Sequence, residues 1–453
     1  LAGSSIFVKI KAVSGIFDLS LKISGYPLKK AKKKVSEILK IPENEYAAFV
    51  EKRRKAIVDY HLKHNAFYRE LCGKSNFTAW GDIPVMKKAD FQRPLHERIS
   101  QKFSRKDLYI NKTSGSGGFP MVFAKDKFCH ALVWSNTIRR FGWYGIDFNE
   151  SYQARFYGRP VDLISDLKLR FKDMIARRYR FSIFDLSDSG LEKIVKKFSR
   201  KRFDYINGYT SSIVLLAKYL RKKNLVLKNV CPTLKVCVVT SEMLFADDKL
   251  LLEQQLGVPI INEYGASELE IIAFQKTNGE WAVNAETLFV EILDQNDQPM
   301  PYGSEGRIVV TALYNKAHPF IRYDVGDYGV LDEASTLKNP ILKQLTGRTN
   351  DYALLPSGKK PAGMTFYSVT KKLFGDDGKV KEFVIRQSSR DTFEIDYTSD
   401  AEILPAEIEQ MKRVFASYLE PGLHYVFARK AALERTASGK LKQFSRTFSD
   451  GTS

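Results

Sequence analysis

Between residues 205 and 312, short apolar runs alternate with stretches whose apolar residues recur at three- and four-residue intervals. The runs are Lys235 to Thr240 (KVCVVT), Pro259 to Asn262 (PIIN), Leu288 to Leu293 (LFVEIL) and Gly306 to Ala312 (GRIVVTA). The helical stretches are Ser211 to Arg221 and Asp247 to Leu256. Runs of that length read as strands, and strands alternating with helices argue for an α/β body.

The flanks follow different rules. The first hundred residues show helical spacing, for instance Tyr46, Phe49, Val50, Arg53, Ile57 and Tyr60, before the turn-rich GDIPVMKKADF. After about residue 345 come a loop (LPSGKKPAG), two strands (Glu382 to Gln387 and Asp391 to Tyr397), a helix after Pro405 and a strand at His424 to Ala428. The expected organisation is a large multi-layer α/β domain over 1–346 and a smaller α+β domain over 347–453. A chain of 453 residues, 44% hydrophobic and 27% charged, is large enough for two such cores.

No run of about eighteen uncharged apolar residues occurs, and SIFVKIKAVSGIFDLSLKI is broken by Lys9, Lys11 and Asp18, so neither a membrane span nor a signal peptide is expected. Four cysteines without a C-x-x-C fit a reducing cytosol rather than a disulfide framework or zinc ribbon. The formal net charge of +20 implies attraction for anions. It is concentrated in LKKAKKK at Leu28 to Lys34, LKLRFKDMIARRYR at Leu167 to Arg180 and KKFSRKR at Lys196 to Arg202. Ile164, Leu167, Phe171 and Ile175 among basic residues suggest an amphipathic helix over 164–180. It either packs on its own domain or lies at an acidic inner-membrane surface.

The segment Asn111 to Pro120 (NKTSGSGGFP) leaves a backbone bare enough to wrap a polyphosphate. Four further segments mix glycine turns with charge: NEYGASELE (Asn262 to Glu270), FIRYDVGDYG (Phe320 to Gly329), LTGRTNDY (Leu345 to Tyr352) and ERTASGKLK (Glu434 to Lys442). Locally each is also an ordinary turn. Glu268 and Asp327 read equally as helix-cap or turn carboxylates, and Tyr264 as a packed aromatic.

Together and in this order, these motifs resemble the acyl- and aryl-adenylate-forming enzymes, in the branch of phenylacetate–coenzyme A ligase and the related capsular polysaccharide biosynthesis proteins. The resemblance runs from HLKHNAFYREL to the final SGK and includes INGYTSSIVLLAKYL. It implies ATP and Mg²⁺ as cofactors and a small-molecule carboxylic acid as substrate. Coenzyme A, a thiol carrier or an amine would be the acceptor, and the capsule-protein side of the resemblance implies a setting in surface polysaccharide biosynthesis.

By the same resemblance, Thr113, Ser114, Gly115, Ser116, Gly117 and Gly118 wrap the ATP phosphates. Glu268 binds Mg²⁺, Tyr264 and Gly265 meet the adenine, and Ser267 lies near the α-phosphate. Asp327 binds the ribose hydroxyls, Arg348 contacts the nucleotide, and Lys440 is catalytic, neutralising charge between carboxylate and α-phosphate. Asn350 takes the position of the hinge on which a mobile carboxy-terminal lid turns.

Two departures matter. Asn350 stands where an aspartate is usual, and Gly117 and Phe119 replace a threonine and a polar residue, with Lys125 or Lys127 as compensating cations. They motivate an alternative: a catalytically weakened nucleotide- or acyl-binding scaffold at a membrane-associated assembly. A P-loop, a dinucleotide fingerprint, G-x-S-x-G and H-E-x-x-H are all missing, and no nucleic-acid-reading module accompanies the charge.

Overall fold

A computed structural model of the chain describes residues 15–73, 77–113, 121–157, 172–348, 352–359, 361, 363–374, 380–436 and 440–448. The helical opening is α1 (Ile16–Ile23), α2 (Leu28–Leu39), α3 (Glu43–His64), α4 (Ala66–Cys72) and the single turn α5 (Leu95–Arg98). Asn65 sets one boundary: it leaves helical geometry, and its side-chain oxygen accepts from the Tyr68 N–H at 2.8 Å, capping α4.

A hairpin of β1 (Leu108–Lys112) and β2 (Val122–Asp126) leads into α6 (Lys127–Gly142), whose first turn is capped by Asp126. Then β3 (Gln153–Phe156), β4 (Arg178–Phe181), β5 (Tyr205–Tyr209), β6 (Val236–Thr240), β7 (Ile260–Gly265), β8 (Ile271–Gln275) and β9 (Trp281–Val283) form a seven-stranded sheet in the order β4-β3-β5-β6-β7-β8-β9. Its first five strands are parallel and its last two antiparallel. The connections carry α7 (Asp188–Arg200), α8 (Thr210–Lys222), α9 (Leu227–Val230) and α10 (Ala246–Leu256).

β6 explains why this sheet tolerates an unbroken apolar run. Side chains of a strand alternate between faces, and helices of a parallel sheet cover both. Cys237 and Val239 pack with Leu191, Ile213, Leu216 and Leu252 on one face. Val236 and Val238 pack with Phe141, Ile146 and Phe274 on the other.

An antiparallel meander follows: β10 (Leu288–Leu293), β11 (Glu305–Ala312), β12 (Tyr323–Leu331) and β13 (Leu342–Arg348). The carboxy-terminal unit holds α11 (Gly363–Phe374), β14 (Val380–Gln387), β15 (Thr392–Ser399), α12 (Pro405–Tyr418), β16 (His424–Arg429) and β17 (Phe444–Arg446), with sheet order β16-β15-β14-β17. Phe366, Phe383, Ile385, Phe393, Ile395 and Phe415 form its core, and Met243 and Phe245 of the body pack against it. The mixed α/β architecture agrees with the strand and helix alternation. Among the described residues no helix is long and apolar enough to cross a membrane.

One expectation changes. Residues 158–171 of the basic stretch lie outside the described residues and 172–175 form a helical turn, but Arg178–Phe181 is strand β4, paired in register with Gln153–Phe156. The helical period ends because Tyr179 and Phe181 pack with the parallel-sheet core. Asp173 meanwhile binds both Arg178 and Arg180, the latter at 3.2 Å, turning these cations inward.

Gly208 in β5 lets the backbone of β3 pass closely: a Cβ there would meet Phe156 Cβ at 2.4 Å and Phe156 O at 2.5 Å. Gly208→Ala is expected to cost about 2–3 kcal/mol, the range of overpacking. A urea midpoint equal to wild type would contradict this packing.

Candidate active site

Parallel α/β sheets bind ligands beyond the carboxyl ends of their strands. A cavity of about 340 Å³ opens there, lined by Ser241 and Glu242 after β6, Glu263, Tyr264 and Gly265 of β7, and Trp281 of β9. Asp327 of β12 and Lys343 and Gly347 of β13 form another wall, and Thr436 and Lys440 to Phe444 close it from the carboxy-terminal unit. Segments more than 170 residues apart in sequence therefore meet at one opening.

Four of the expected site residues share this cavity: Tyr264, Gly265, Asp327 and Lys440. The Tyr264 hydroxyl donates to Asp327 Oδ2 at 2.7 Å, orienting a carboxylate that retains acceptor capacity. Arg348 lies directly across from Asp327 in the register of β12 and β13. The Lys440 ammonium stands 5.7 Å from the Tyr209 ring centre, at the end of β5. The backbone of Lys440 is pinned in a tight loop, its N–H to Thr436 Oγ1 at 3.1 Å and its carbonyl accepting from Thr436 N at 2.9 Å.

Glu268 is set back from that cavity. It is buried, accepts the Tyr323 hydroxyl at 3.0 Å, and lines a small separate void with Lys125 and Glu270. Among the described residues no group of three or more acidic, His or Cys side chains is placed to hold a metal ion by itself. A single hard carboxylate does suit Mg²⁺ arriving with nucleotide phosphates, since that ion keeps most of its shell as water and phosphate oxygen.

Thr113 follows β1, where its hydroxyl accepts from Met121 N at 2.9 Å and its N–H donates to Met121 O at 2.9 Å, clamping the base of the glycine-rich segment. Ser114, Gly115, Ser116, Gly117 and Gly118, together with Phe119 and Asn350, lie outside the described residues. Ser267 is exposed, and its carbonyl accepts from the Lys125 ammonium at 2.8 Å. Lys125 is thus a buried cation at the 265–270 turn, its pKa lowered by burial against the opposing pull of Glu270 and Glu268. Lys127 points elsewhere, with its ammonium beside Gly25.

Two acids in the cavity wall escaped notice in the sequence. Glu242 accepts from Ser211 N at 2.7 Å, at the first turn of α8, and from Leu441 N at 3.0 Å, the residue after Lys440. Burial raises its pKa, against those hydrogen bonds and nearby Arg435. Glu263 is pushed up to about 7 by burial, opposed by the Thr240 hydroxyl and the Arg155 charge. The available signal was positional: both sit at or just past the carboxyl end of an apolar strand.

No family profile matches the chain. It is 23% identical to Protein CapK of Staphylococcus aureus over 338 residues, 70% of this chain and 71% of that protein. It is 22% identical to phenylacetate-coenzyme A ligase of Thermus thermophilus over 342 residues, 70% of this chain and 74% of the ligase. Its fold matches the crystal structure of 2-hydroxyisobutyryl-CoA ligase in the postadenylation state, in complex with R3-HIB-AMP. That match has a TM-score of 0.67 over 89% of this chain and 90% of the ligase, at 17% identity.

The two wall acids yield separate expectations. Folded Glu263 holds its proton to about pH 7, whereas the unfolded chain releases it near 4.5, so stability falls as pH rises through that window and levels off above it. Glu263→Gln should match wild type near pH 4 and exceed its stability at pH 8 by roughly 1–3 kcal/mol. Parallel stability curves would refute the assignment. Glu242→Ala strands two N–H groups and should cost about 2–4 kcal/mol, with faster proteolysis near residue 440; unchanged cleavage would show that the contact holds nothing in place.

Proposed function

We propose that this chain, a distant homologue of CapK and phenylacetate-CoA ligase in the adenylate-forming ligase superfamily, activates a carboxylic acid with ATP and passes the acyl group to a thiol. The observation that carries this reading is the convergence of Tyr264, Asp327 and Lys440 on one cavity beyond the parallel strands. A carboxylate oxygen attacks the α-phosphorus of ATP, pyrophosphate leaves, and an acyl-adenylate forms. The sulfur of coenzyme A or a carrier then attacks the acyl carbon, AMP leaves and a thioester forms.

Both reactants of the first step are anions, so the site must hold them in line and place positive charge between them. Lys440 supplies that charge on a flexible stem, held at the cavity by its pinned loop. Asp327, oriented by Tyr264, takes the ribose hydroxyls, and the Tyr264 ring with Trp281 walls the adenine. Arg348 contacts the nucleotide from the end of β13.

The loop from Thr113 through Gly118 wraps the outer phosphates with Ser114, Gly115, Ser116 and Gly117, and Ser267 faces the α-phosphate. Mg²⁺, when bound, would neutralise phosphate charge, and Glu268 would hold it. Lys125 brings a cation to the neighbouring turn, which offsets the apolar Phe119 in the loop.

The acid would extend toward Tyr209, where Tyr157 donates to Asn207 Oδ1 at 3.0 Å and stacks edge-on against Tyr209 at 4.8 Å. Residues 347–453 would act as the lid, turning about Asn350 to exchange Lys440 for the thiol. The role in surface polysaccharide biosynthesis belongs to this reading as well. Gly117, Phe119 and Asn350 favour the second reading, a weakened scaffold that binds nucleotide or acyl ligand without turnover.

Carboxylate-dependent exchange of labelled pyrophosphate into ATP separates the two. Wild type should exchange with at least one member of a broad acid panel, and Lys440→Ala should lower that exchange about 100- to 1,000-fold, the scale of one electrostatic catalytic contact. Asp327→Ala should instead raise the KM for ATP. Silence of the wild type across the panel, with ATP still raising Tm, would leave the scaffold standing.

A further inference from the structure

α1 is apolar on two faces, and among the described residues only one of them is covered. Its inner face carries Phe17 and Leu21, which pack with Leu28, Trp134, Ile138 and Phe148. Phe17 meets the Trp134 ring at 5.1 Å and the Phe148 ring at 5.2 Å, and Asp18 N donates to Asn149 Oδ1 at 3.1 Å. These contacts fix the helix to the body. Its other face presents Ile16, Leu19 and Ile23, spaced three and four residues apart and 63%, 43% and 79% exposed. One helical face of three exposed large aliphatics is more than scattered surface apolarity requires.

The surroundings say what would cover it. Residues 15–40 contain seven lysines and two acids, Asp18 and Glu37. Both acids are already paired, to Lys32 at 3.1 Å and Lys34 at 3.4 Å. Lys22, Lys29, Lys30, Lys33 and Lys40 are all exposed on α1, α2 and the residue that follows α2. Lys127 adds an ammonium beside the Gly25 turn between the two helices. On the other side, Ala176 packs into the same small cluster as Phe17 and Leu21. Its neighbours Lys172, Met174 and Arg177 are exposed, Met174 at 66%.

The geometry points to an anionic lipid surface as the occupant: we propose that Ile16, Leu19, Ile23 and Met174 enter the headgroup boundary while the surrounding lysines meet acidic headgroups. An exposed apolar helix face with lysine-rich neighbouring elements can bind membranes through both terms at once, neither sufficient alone. A lysine stem is long enough to lie along an apolar boundary while its ammonium reaches phosphate. A protein partner would have to match the same lysines with acids, whereas a bilayer supplies negative charge continuously. The inference is independent of the reaction proposed above.

Sedimentation of the full chain with vesicles of phosphatidylcholine, with and without about 30% phosphatidylglycerol, tests it. Binding should be at least about tenfold stronger to the anionic vesicles and fall with salt. Ile16→Ser/Leu19→Ser/Ile23→Ser and Lys29→Glu/Lys30→Glu/Lys33→Glu should each abolish it while leaving Tm and the Tm increase with ATP unchanged. Equal binding to neutral vesicles, or retention by either triple variant, overturns the proposal. So does a sharp fall in Tm of the serine variant, which would mean that other residues of the chain cover the face. A lipid-free dimer abolished by the serine variant would also overturn it, assigning the face to a second copy.

Discussion

The placement of Lys440 depends on a carboxylate that belongs to the opposite side of the cavity. Glu242 follows β6 and holds two backbone N–H groups at once, Ser211 at the start of α8 and Leu441 beside the lysine. A negative charge at a helix amino terminus is favoured by the helix dipole. The same charge fixes a carboxy-terminal strap. Among the described residues, the carboxy-terminal unit is also tied to the body by Arg435 reaching Ser211 Oγ at 3.3 Å, by Lys218 reaching the Lys381 carbonyl at 2.8 Å, and by Met243 and Phe245 packing on its core. Polar ties of this kind, made to backbone atoms, can be exchanged for water at modest cost.

Around that strap the acids of the site and its surroundings divide by environment. Asp327 is committed to Tyr264, Glu268 to Tyr323, and Glu242 to backbone N–H groups, so each is held by a donor. Glu263 is raised by burial against the Thr240 hydroxyl and the Arg155 charge, and it keeps its proton to near neutrality. In the proposed reaction a neutral carboxyl in this wall would lower repulsion toward incoming carboxylate and phosphate, and in that form it donates a hydrogen bond rather than demanding one.

The α/β body was legible because short apolar runs, β6 among them, alternate with helical stretches, whereas the parallel order of its strands was not read from the sequence. The C-terminal order of strand, strand, helix and strand was legible from alternation and from Pro405, which opens α12. Tyr264, Asp327 and Lys440 were found through motif order; no local property distinguishes them from turn residues. Glu242 and Glu263 were not found, because a carboxylate following an apolar strand carries no mark of what will fold over it. Arg178–Phe181 misled because RYRF continues a helical charge pattern. Its aromatic pair packs on the sheet core, and Asp173 neutralises the two arginines that a solvated helix would have exposed.

That neutralisation is general and explains how one chain carries a charge of +20 without disrupting its core. Arginines are used inside. Arg140 pairs with Glu286 at 3.0 Å and Arg307 with Asp324 at 2.8 Å, while Arg322 spends its donors on the carbonyls of Gly81, Ile83 and Asp297. A planar guanidinium with several fixed donors satisfies buried acceptors in this way, whereas a lysine ammonium is more strongly hydrated and stays outside. Among the described residues the buried exception is Lys125, which lies at the turn that carries Ser267 and Glu268. Because the interior arginines are largely cancelled by acids, the uncompensated charge is mostly lysine at the surface. The long-range field of the protein is therefore set by where those lysines cluster, and α2 beside the uncovered face of α1 is one such cluster.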